Sequence, residues 1–311
     1  MTNPTTPQEI HTDGRRPEEK EGKVSRMTQF KASLRSLGRF MMRRKMVLAA
    51  VIILASLLFL AAAGPYVAPY GANTLDLVAR LQPPNASHFF GTDNFGRDIL
   101  SRAFSGTRIT LLLGLAIAGF ALLLGLPIGT LSGYYDTFGL IAMRVVDALM
   151  AFPAIVLALA LMAIFGRQGI LNVVIAVGLV WTPRMIRVVY SSTLSLRENT
   201  YIEAARAIGA SPSRILLRHV VINLLSPVIV QATFTFAFSI MDVAALNFLG
   251  VGIPPYIPSW GGMMNEGQTY IIRAPWIIVF PGLFLALSVL SFNIIGDALR
   301  DRLDPRLRRI M

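Results

Sequence analysis

The sequence contains no cysteine. That excludes disulfide bridges, thiolate nucleophiles and cysteine-held metals. Histidine is nearly as scarce: His11, His88 and His219 are widely separated, so a multi-histidine metal site is not expected. Charge is sparse as well. Asp, Glu, Lys and Arg make up 15% of the residues, while hydrophobic residues reach 54%; an ordinary globular protein carries roughly 25% charged residues. A surface so poor in charge cannot face water everywhere, which points to lipid as part of the solvent. A phosphate-cradling run of the form G-x-x-x-x-G-K-[ST] is also missing, so no nucleotide site of that type is expected in this chain.

Long apolar runs, by contrast, are plentiful. Crossing a hydrocarbon core of ~30 Å takes about 20 mostly apolar residues in a helix. Six runs qualify: Met46–Tyr66, Ile109–Tyr134, Val145–Phe165, Ile170–Tyr190, Leu224–Leu249 and Trp276–Ile295. A signal peptide is a poor reading of the first, because the basic stretch before it is long, the run exceeds the usual ~7–15 residues and further spans follow.

The net charge of +12 admits a nucleic-acid partner or a membrane topology with basic cytoplasmic segments. The distribution favours topology. With the amino terminus inside, the outer segments hold just Arg80, Arg97, Arg102, Arg108, Arg167 and Arg273 of the 29 Lys and Arg residues. The positive-inside rule then places both termini in the cytoplasm, and no nucleic-acid partner is needed.

The expected fold is an all-α integral membrane protein with about six transmembrane helices. Residues 1–45 form a basic cytoplasmic tail, disordered at its start; Phe30, Leu34, Leu37 and Met41 recur at helical spacing among basic residues, as in a helix lying on the anionic inner leaflet. Residues 46–106 hold the first span and an outer segment, residues 107–300 the core spans with a cytoplasmic loop at 195–220, and residues 301–311 a short tail in which Asp304-Pro305 stops the last helix.

Within the spans, Gly125, Gly129 and Gly133 would line one helix face and admit a neighbouring backbone. Pro127, Pro153, Pro183, Pro227 and Pro281 fall in or beside spans, where proline removes a donor and tends to kink a helix. An ionisable group in lipid is costly and calls for a function, so Asp242, with Asn247 nearby, is the candidate for a water-filled pathway or a subunit contact. Asp147 and Arg184 are expected near cytoplasmic ends, where snorkelling is cheap.

The loop at 195–220 has the strongest local pattern. Tyr201 to Ile208 is a helix-forming run. Gly209 can end it in a left-handed conformation, and Ser211-Pro212 caps and opens a second helix. The expected product is a helix, a sharp corner and a second helix feeding the fifth span: a lever able to carry motion from a soluble partner into the membrane. Arg206, Arg214 and Arg218 offer charge to that partner; Ala204, Ala205 and Ala210 allow close approach. On the outer side, Asp98 and Arg102 are spaced as a helical ion pair, Asp93 is a candidate cap for that helix with Arg97 beside it, and Trp260 and Trp276 suit an interfacial aromatic belt.

These stretches resemble a known family. Glu203-Ala204-Ala205, three residues and then Gly209 resembles the "EAA" coupling motif of bacterial ABC importer permeases. Ile222 stands where that pattern usually has proline. The run His88 to Arg102 is similar to the outer segment of the C-type subunit in dipeptide, oligopeptide and nickel importers. So are Leu249-Gly250-Val251-Gly252, Pro258-Ser259-Trp260-Gly261, Asn265-Glu266-Gly267 and the ending from Phe292-Asn293 to Asp304-Pro305. The resemblance implies a type I ABC importer permease fold in a bacterial inner membrane. It implies a second homologous permease, an extracytoplasmic substrate-binding protein, and two ATPase subunits that bind ATP and Mg, leaving this chain without cofactor or catalysis. Glu203, Ala205 and Gly209 would meet the ATPase. The cargo would be peptides, with nickel complexes as the alternative. A stand-alone secondary transporter would need an ion site of its own, for which Asp242 is the one seed, and a membrane enzyme would need clustered His, Asp or Glu that the spans lack.

Overall fold

The computed structural model describes residues 44–303. The expected tail and the leaflet-lying helix expected at Lys31–Lys45, but for Arg44 and Lys45, lie outside these residues, as does the stop at Asp304-Pro305. The regular structure of the described part is helical, with residues 68–98 mostly irregular: α1 (Lys45–Val67), α2 (Ile99–Tyr134), α3 (Asp136–Met150), α4 (Ala154–Phe165), α5 (Ile170–Arg197), α6 (Thr200–Ala207), α7 (Pro212–Ile215), α8 (Val221–Phe248), α9 (Trp260–Gly267) and α10 (Trp276–Leu303). The sole β-type contact among the described residues is an isolated bridge between Thr92 and Asp98.

Five helices are long and apolar enough to cross a membrane: α1, α2, α5, the continuous Pro212–Phe248 helix and α10. The expected third span is different. Val145–Phe165 is not a straight helix: α3 and α4 meet at a bend of 94°. Pro153 causes the break. It disfavours helical geometry at Phe152, lacks the N–H that would continue the ladder, and itself adopts an extended conformation (φ −57°, ψ 134°). By contrast α2, α5, α8 and α10 run through Pro127, Pro183, Pro227 and Pro281. Counting the bent pair as one span gives the expected six.

The helices ending at Tyr134 and Arg197 finish on the same side. Arg197 donates from its guanidinium to the Gly133 carbonyl at 3.2 Å and to Asp136 Oδ1 at 2.6 Å. The connections on the opposite side also meet: Gln168 donates to the Gly250 carbonyl and Asn73 to the Tyr256 carbonyl. The bent pair α3–α4 therefore carries the chain from one side to the other.

The α2–α5 contact is built on the glycine stripe. A Cβ at Gly129 would stand 2.7 Å from Val189 Cβ and 2.8 Å from the Ile186 carbonyl oxygen, and one at Gly133 would stand 2.5 Å from Thr193 Cβ. Real Cβ atoms do not approach so closely, so the two backbones touch because the side chains are missing. Around this seam, Ile117, Ala121, Val173, Val177 and Leu246 form one buried cluster that locks α2, α5 and α8 together.

Candidate functional site

The elbow between α5 and α8 has the shape read from its sequence. At the end of α6, the Gly209 N–H donates to the Arg206 carbonyl at 2.9 Å and the Ala210 N–H to the Ala205 carbonyl at 3.0 Å. This is a Schellman closure, which needs a left-handed residue; Gly209 supplies it at φ +82°. Ser211 then accepts from the Arg214 N–H and Pro212 takes the first helical position. A π-helical turn at Leu216–Val220 leads into α8, and Pro212–Phe248 forms one helix of 37 residues. The second arm of the elbow is thus rigidly continuous with a membrane span.

The elbow has a dry inner face and a bare outer one. Ile202, Ile215, Val220 and Leu224 are fully buried against Met185 and Val189 of α5; each such side chain contributes about 1.5–3 kcal/mol by leaving water. Arg206 lies over the Tyr134 ring at 5.3 Å, and Arg197 ties the approach to the α2–α3 junction as described above. Glu203, Ala204, Arg206, Gly209, Arg214 and Arg218 are exposed. Ala205 departs from the expected role. It is buried, packed in the same cluster as Ile202, so its small size serves the inside of the elbow. Ala210, half-buried, packs against that cluster too. Two residues that the sequence reading passed over stand out: Ile208 is 85% and Leu217 70% exposed. An isoleucine directly before the helix-ending glycine was the available signal.

On the opposite side, a buried charge cluster joins the outer segment to α9. Asp93 accepts from the Phe95 and Arg97 N–H groups and pairs with Arg97 Nε at 2.5 Å. Arg97 also reaches Glu266 at 2.5 Å, and Arg102, 1% exposed, reaches Glu266 at 3.3 Å. Two sequence expectations are corrected here. The helix cap is Asp98, whose carboxylate accepts from the Ser101 N–H at 2.8 Å and from its hydroxyl at 2.7 Å; Asp93 instead closes a tight turn. Nor do Asp98 and Arg102 pair. Asp98 sits outside the helix in an extended conformation and faces His88 Nδ1 at 3.0 Å, while Arg102 turns toward α9. Trp260 is another correction: it is fully buried and donates to the Ala103 carbonyl at 3.1 Å, so it is core and not interfacial belt. Trp276 donates to the Thr92 carbonyl at 3.0 Å, fastening α10 to the same segment. Burial, ahead of the opposing pull of Arg102 and Arg97, holds the Glu266 carboxyl above its ordinary value.

Within the spans, the Trp181 indole N–H donates to Asp242 Oδ2 at 2.9 Å, and the Arg184 guanidinium lies over the Trp181 ring at 4.4 Å. Asn247 is buried. Its carbonyl oxygen accepts from the Ile253 N–H at 2.8 Å and its amide donates to Ser259 Oγ at 3.3 Å, so both polar ends serve the loop that follows α8. No group of three or more His, Cys, Asp or Glu able to hold a metal occurs among the described residues.

Residues 121–309 match the family described as the binding-protein-dependent transport system inner membrane component, and residues 35–84 match the N-terminal TM domain of oligopeptide transport permease C. The chain belongs to this family. It is a multi-pass permease subunit of an ABC transporter in the bacterial inner membrane. Among its relatives, the dipeptide transport system permease protein DppC of Alkalihalophilus pseudofirmus is 40% identical over 267 residues, covering 86% of this chain and 88% of the relative. The glutathione transport system permease protein GsiD of Pectobacterium atrosepticum is 40% identical over 276 residues, covering 88% and 91%. The solved MetNI methionine ABC transporter, in inward facing conformations, matches with a TM-score of 0.54 at 20% identity, over 66% of this chain and 96% of that one. At such identity the likeness is one of fold, and it agrees with the expected all-helical permease architecture.

Proposed function

We propose that this permease forms one half of the translocation pathway of an ATP-driven peptide importer, paired with a second homologous permease. In this reading both termini and the elbow face the cytoplasm, the outer segment and α9 face the extracytoplasmic binding protein, and two ATPase subunits hold ATP and Mg below. The relatives that carry dipeptides and glutathione in their names support a peptide cargo.

The observation that carries the reading is the elbow: a rigid corner continuous with a span, dry inside, with Ile208 and Leu217 bare outside. Large apolar side chains so exposed, rimmed by Glu203, Arg206, Arg214 and Arg218, match the apolar core and polar rim of a protein interface. When the ATPases close on ATP, a corner gripped this way moves as one body with α5 and α8, so that the pathway opens on the other side. The ligand sits elsewhere and biases a two-state element, which is what coupling requires.

The test is co-expression with candidate ATPase subunits and the second permease, followed by affinity purification through this chain. Ile208→Asp and Leu217→Asp change side chains that face away from the fold, so the membrane part should assemble as before while ATPase recovery and ATP-dependent uptake fall together. Unchanged recovery and uptake in the double variant would remove the elbow from the interface.

A further inference from the structure

Trp181 holds a cation and an anion at once. Arg184 lies on its face at 4.4 Å, and Asp242 accepts from its indole N–H at 2.9 Å. Phe238 stacks on the same ring at 5.6 Å with planes 14° apart. The three helical positions come from α5 and α8, deep in the protein: Trp181 lies about 16 Å along α5 from Ile170, near the middle of a ~30 Å core. Arg184 follows about one turn further along the same helix, toward the end expected to be cytoplasmic.

The two charges attract each other through space without forming a contact pair. Among the described residues, no ion pair joins Arg184 to Asp242. The neighbouring arginines behave differently: Arg187 pairs with Asp147 and Arg197 with Asp136. Arg184 and Asp242 are both half-buried, so each keeps one side open to the surroundings of the chain. That side cannot be lipid, since a charge facing hydrocarbon at mid-membrane is strongly unfavourable. It faces a water-filled path, a charged ligand or the second permease. An indole stands between the two groups and contacts both. An extended dipeptide separates its ammonium and carboxylate by about 7 Å, a span of the same order as one indole ring with one contact over its face and one at its N–H edge.

We infer that Asp242 and Arg184, spaced by Trp181, form a transit site for zwitterionic peptides: the carboxylate takes the free ammonium, the guanidinium takes the free carboxylate, and the half-buried Phe238 gives an apolar contact for a side chain. The inference rests on the peptide-importer reading and adds the chemical class that the pathway itself selects.

The test uses the full complex in nanodiscs with hydrolysis-deficient ATPase subunits held in the ATP-bound state, without binding protein, so that the binding protein's own preferences do not enter. Labelled dialanine, N-acetyl-dialanine and dialanine amide are the probes. Wild type should bind dialanine tightest. Asp242→Asn and Arg184→Gln should each weaken dialanine about tenfold, the usual scale for losing a charge-assisted bond. N-acetyl-dialanine should be indifferent to Asp242→Asn, and dialanine amide to Arg184→Gln. Equal weakening of free and blocked peptides would mean that the pair meets the second permease instead, and overturns the inference. So does a wild type that binds all three probes alike, which decides the matter even where a variant fails to assemble. ATP-dependent dialanine uptake by the wild-type complex with its binding protein separates the two levels: its absence sinks the peptide reading, whereas uptake without any dependence on the peptide termini sinks the transit site alone.

Discussion

Gly209 allows the interface role of the elbow to be separated from a purely structural one. It occupies the left-handed region at φ +82°, where an ordinary L-residue costs about 1–2 kcal/mol. Asn and Asp tolerate that conformation better than Ala, because their short polar side chains bond locally. A Cβ built at Gly209 meets nothing within 4 Å in this chain, so no steric penalty is added from inside the fold. Backbone strain alone therefore predicts that Gly209→Ala is the most damaging variant, by about 1–2 kcal/mol, with Asn and Asp milder. An occluded interface predicts the reverse: Ala mildest, Asn worse through bulk, Asp worst through bulk and charge in a contact core from which charge is normally depleted. Thermal unfolding of the purified subunit should follow the first order, and ATP-dependent uptake with ATPase recovery the second. If uptake follows the thermal order, or if Gly209→Asn transports like wild type, the space beyond Gly209 is empty in the working complex and the coupling argument fails.

The α2–α5 seam gives a second prediction. Gly129→Val places methyl groups where Val189 and the Ile186 carbonyl already stand; overpacking costs at least about 1–3 kcal/mol, and the amount of folded subunit recovered in detergent should drop, whereas Gly119→Ala, where a Cβ meets nothing within 4 Å, should be silent. Arg102→Met removes the 3.3 Å contact to Glu266 and leaves Arg97 as its remaining partner; losing one charge-assisted bond costs about 1.5–3 kcal/mol, so protease sensitivity of the outer segment should rise, and no change would refute a role of this contact in fastening the segment to α9. Glu266 also makes a pH prediction. A carboxyl raised by burial contributes stability that is fully present below its ordinary value of 4.5 and is lost as pH rises through the higher folded value. The stability margin of wild type over Glu266→Gln should thus narrow as pH climbs above 4.5, and a margin that widens contradicts the assigned direction.

Much of this architecture was readable because its signals are local. An apolar run of twenty residues has few alternatives to a helix in lipid. Gly125, Gly129 and Gly133 share a face by spacing alone, and the structure lays Met185, Val189 and Thr193 against them. The elbow was legible for the same reason: Ala207-Ile208-Gly209 and Ser211-Pro212 each carry a stop or start signal within a few residues, and the observed Schellman closure and serine cap use them. The bend at Pro153 was less so. Several prolines sit in or beside the spans, and sequence does not say which of them breaks a helix; Pro65, Pro127, Pro183, Pro227 and Pro281 are absorbed within continuous helices, while Pro153 ends one.

What escaped the sequence depends on partners far apart in the chain. Asp98 and Arg102 have the spacing of a helical pair, yet spacing gives a contact only where both residues lie within the helix, and Asp98 stands at its cap. Its carboxylate satisfies the first-turn N–H of Ser101, an obligation of every helix start, and Arg102 is left free to find Glu266, 164 positions away. The same holds for Asp242. Taken alone it was an isolated acid in a span, compatible with a proton site, a subunit contact or a path. Trp181, 61 positions away, changes its chemistry by bonding its carboxylate and carrying Arg184 on the adjoining face. An acid alone would favour any cation; an acid and a guanidinium held apart by a flat ring favour a molecule that carries both charges. The distinction lies in an α5–α8 juxtaposition that no window along the sequence contains.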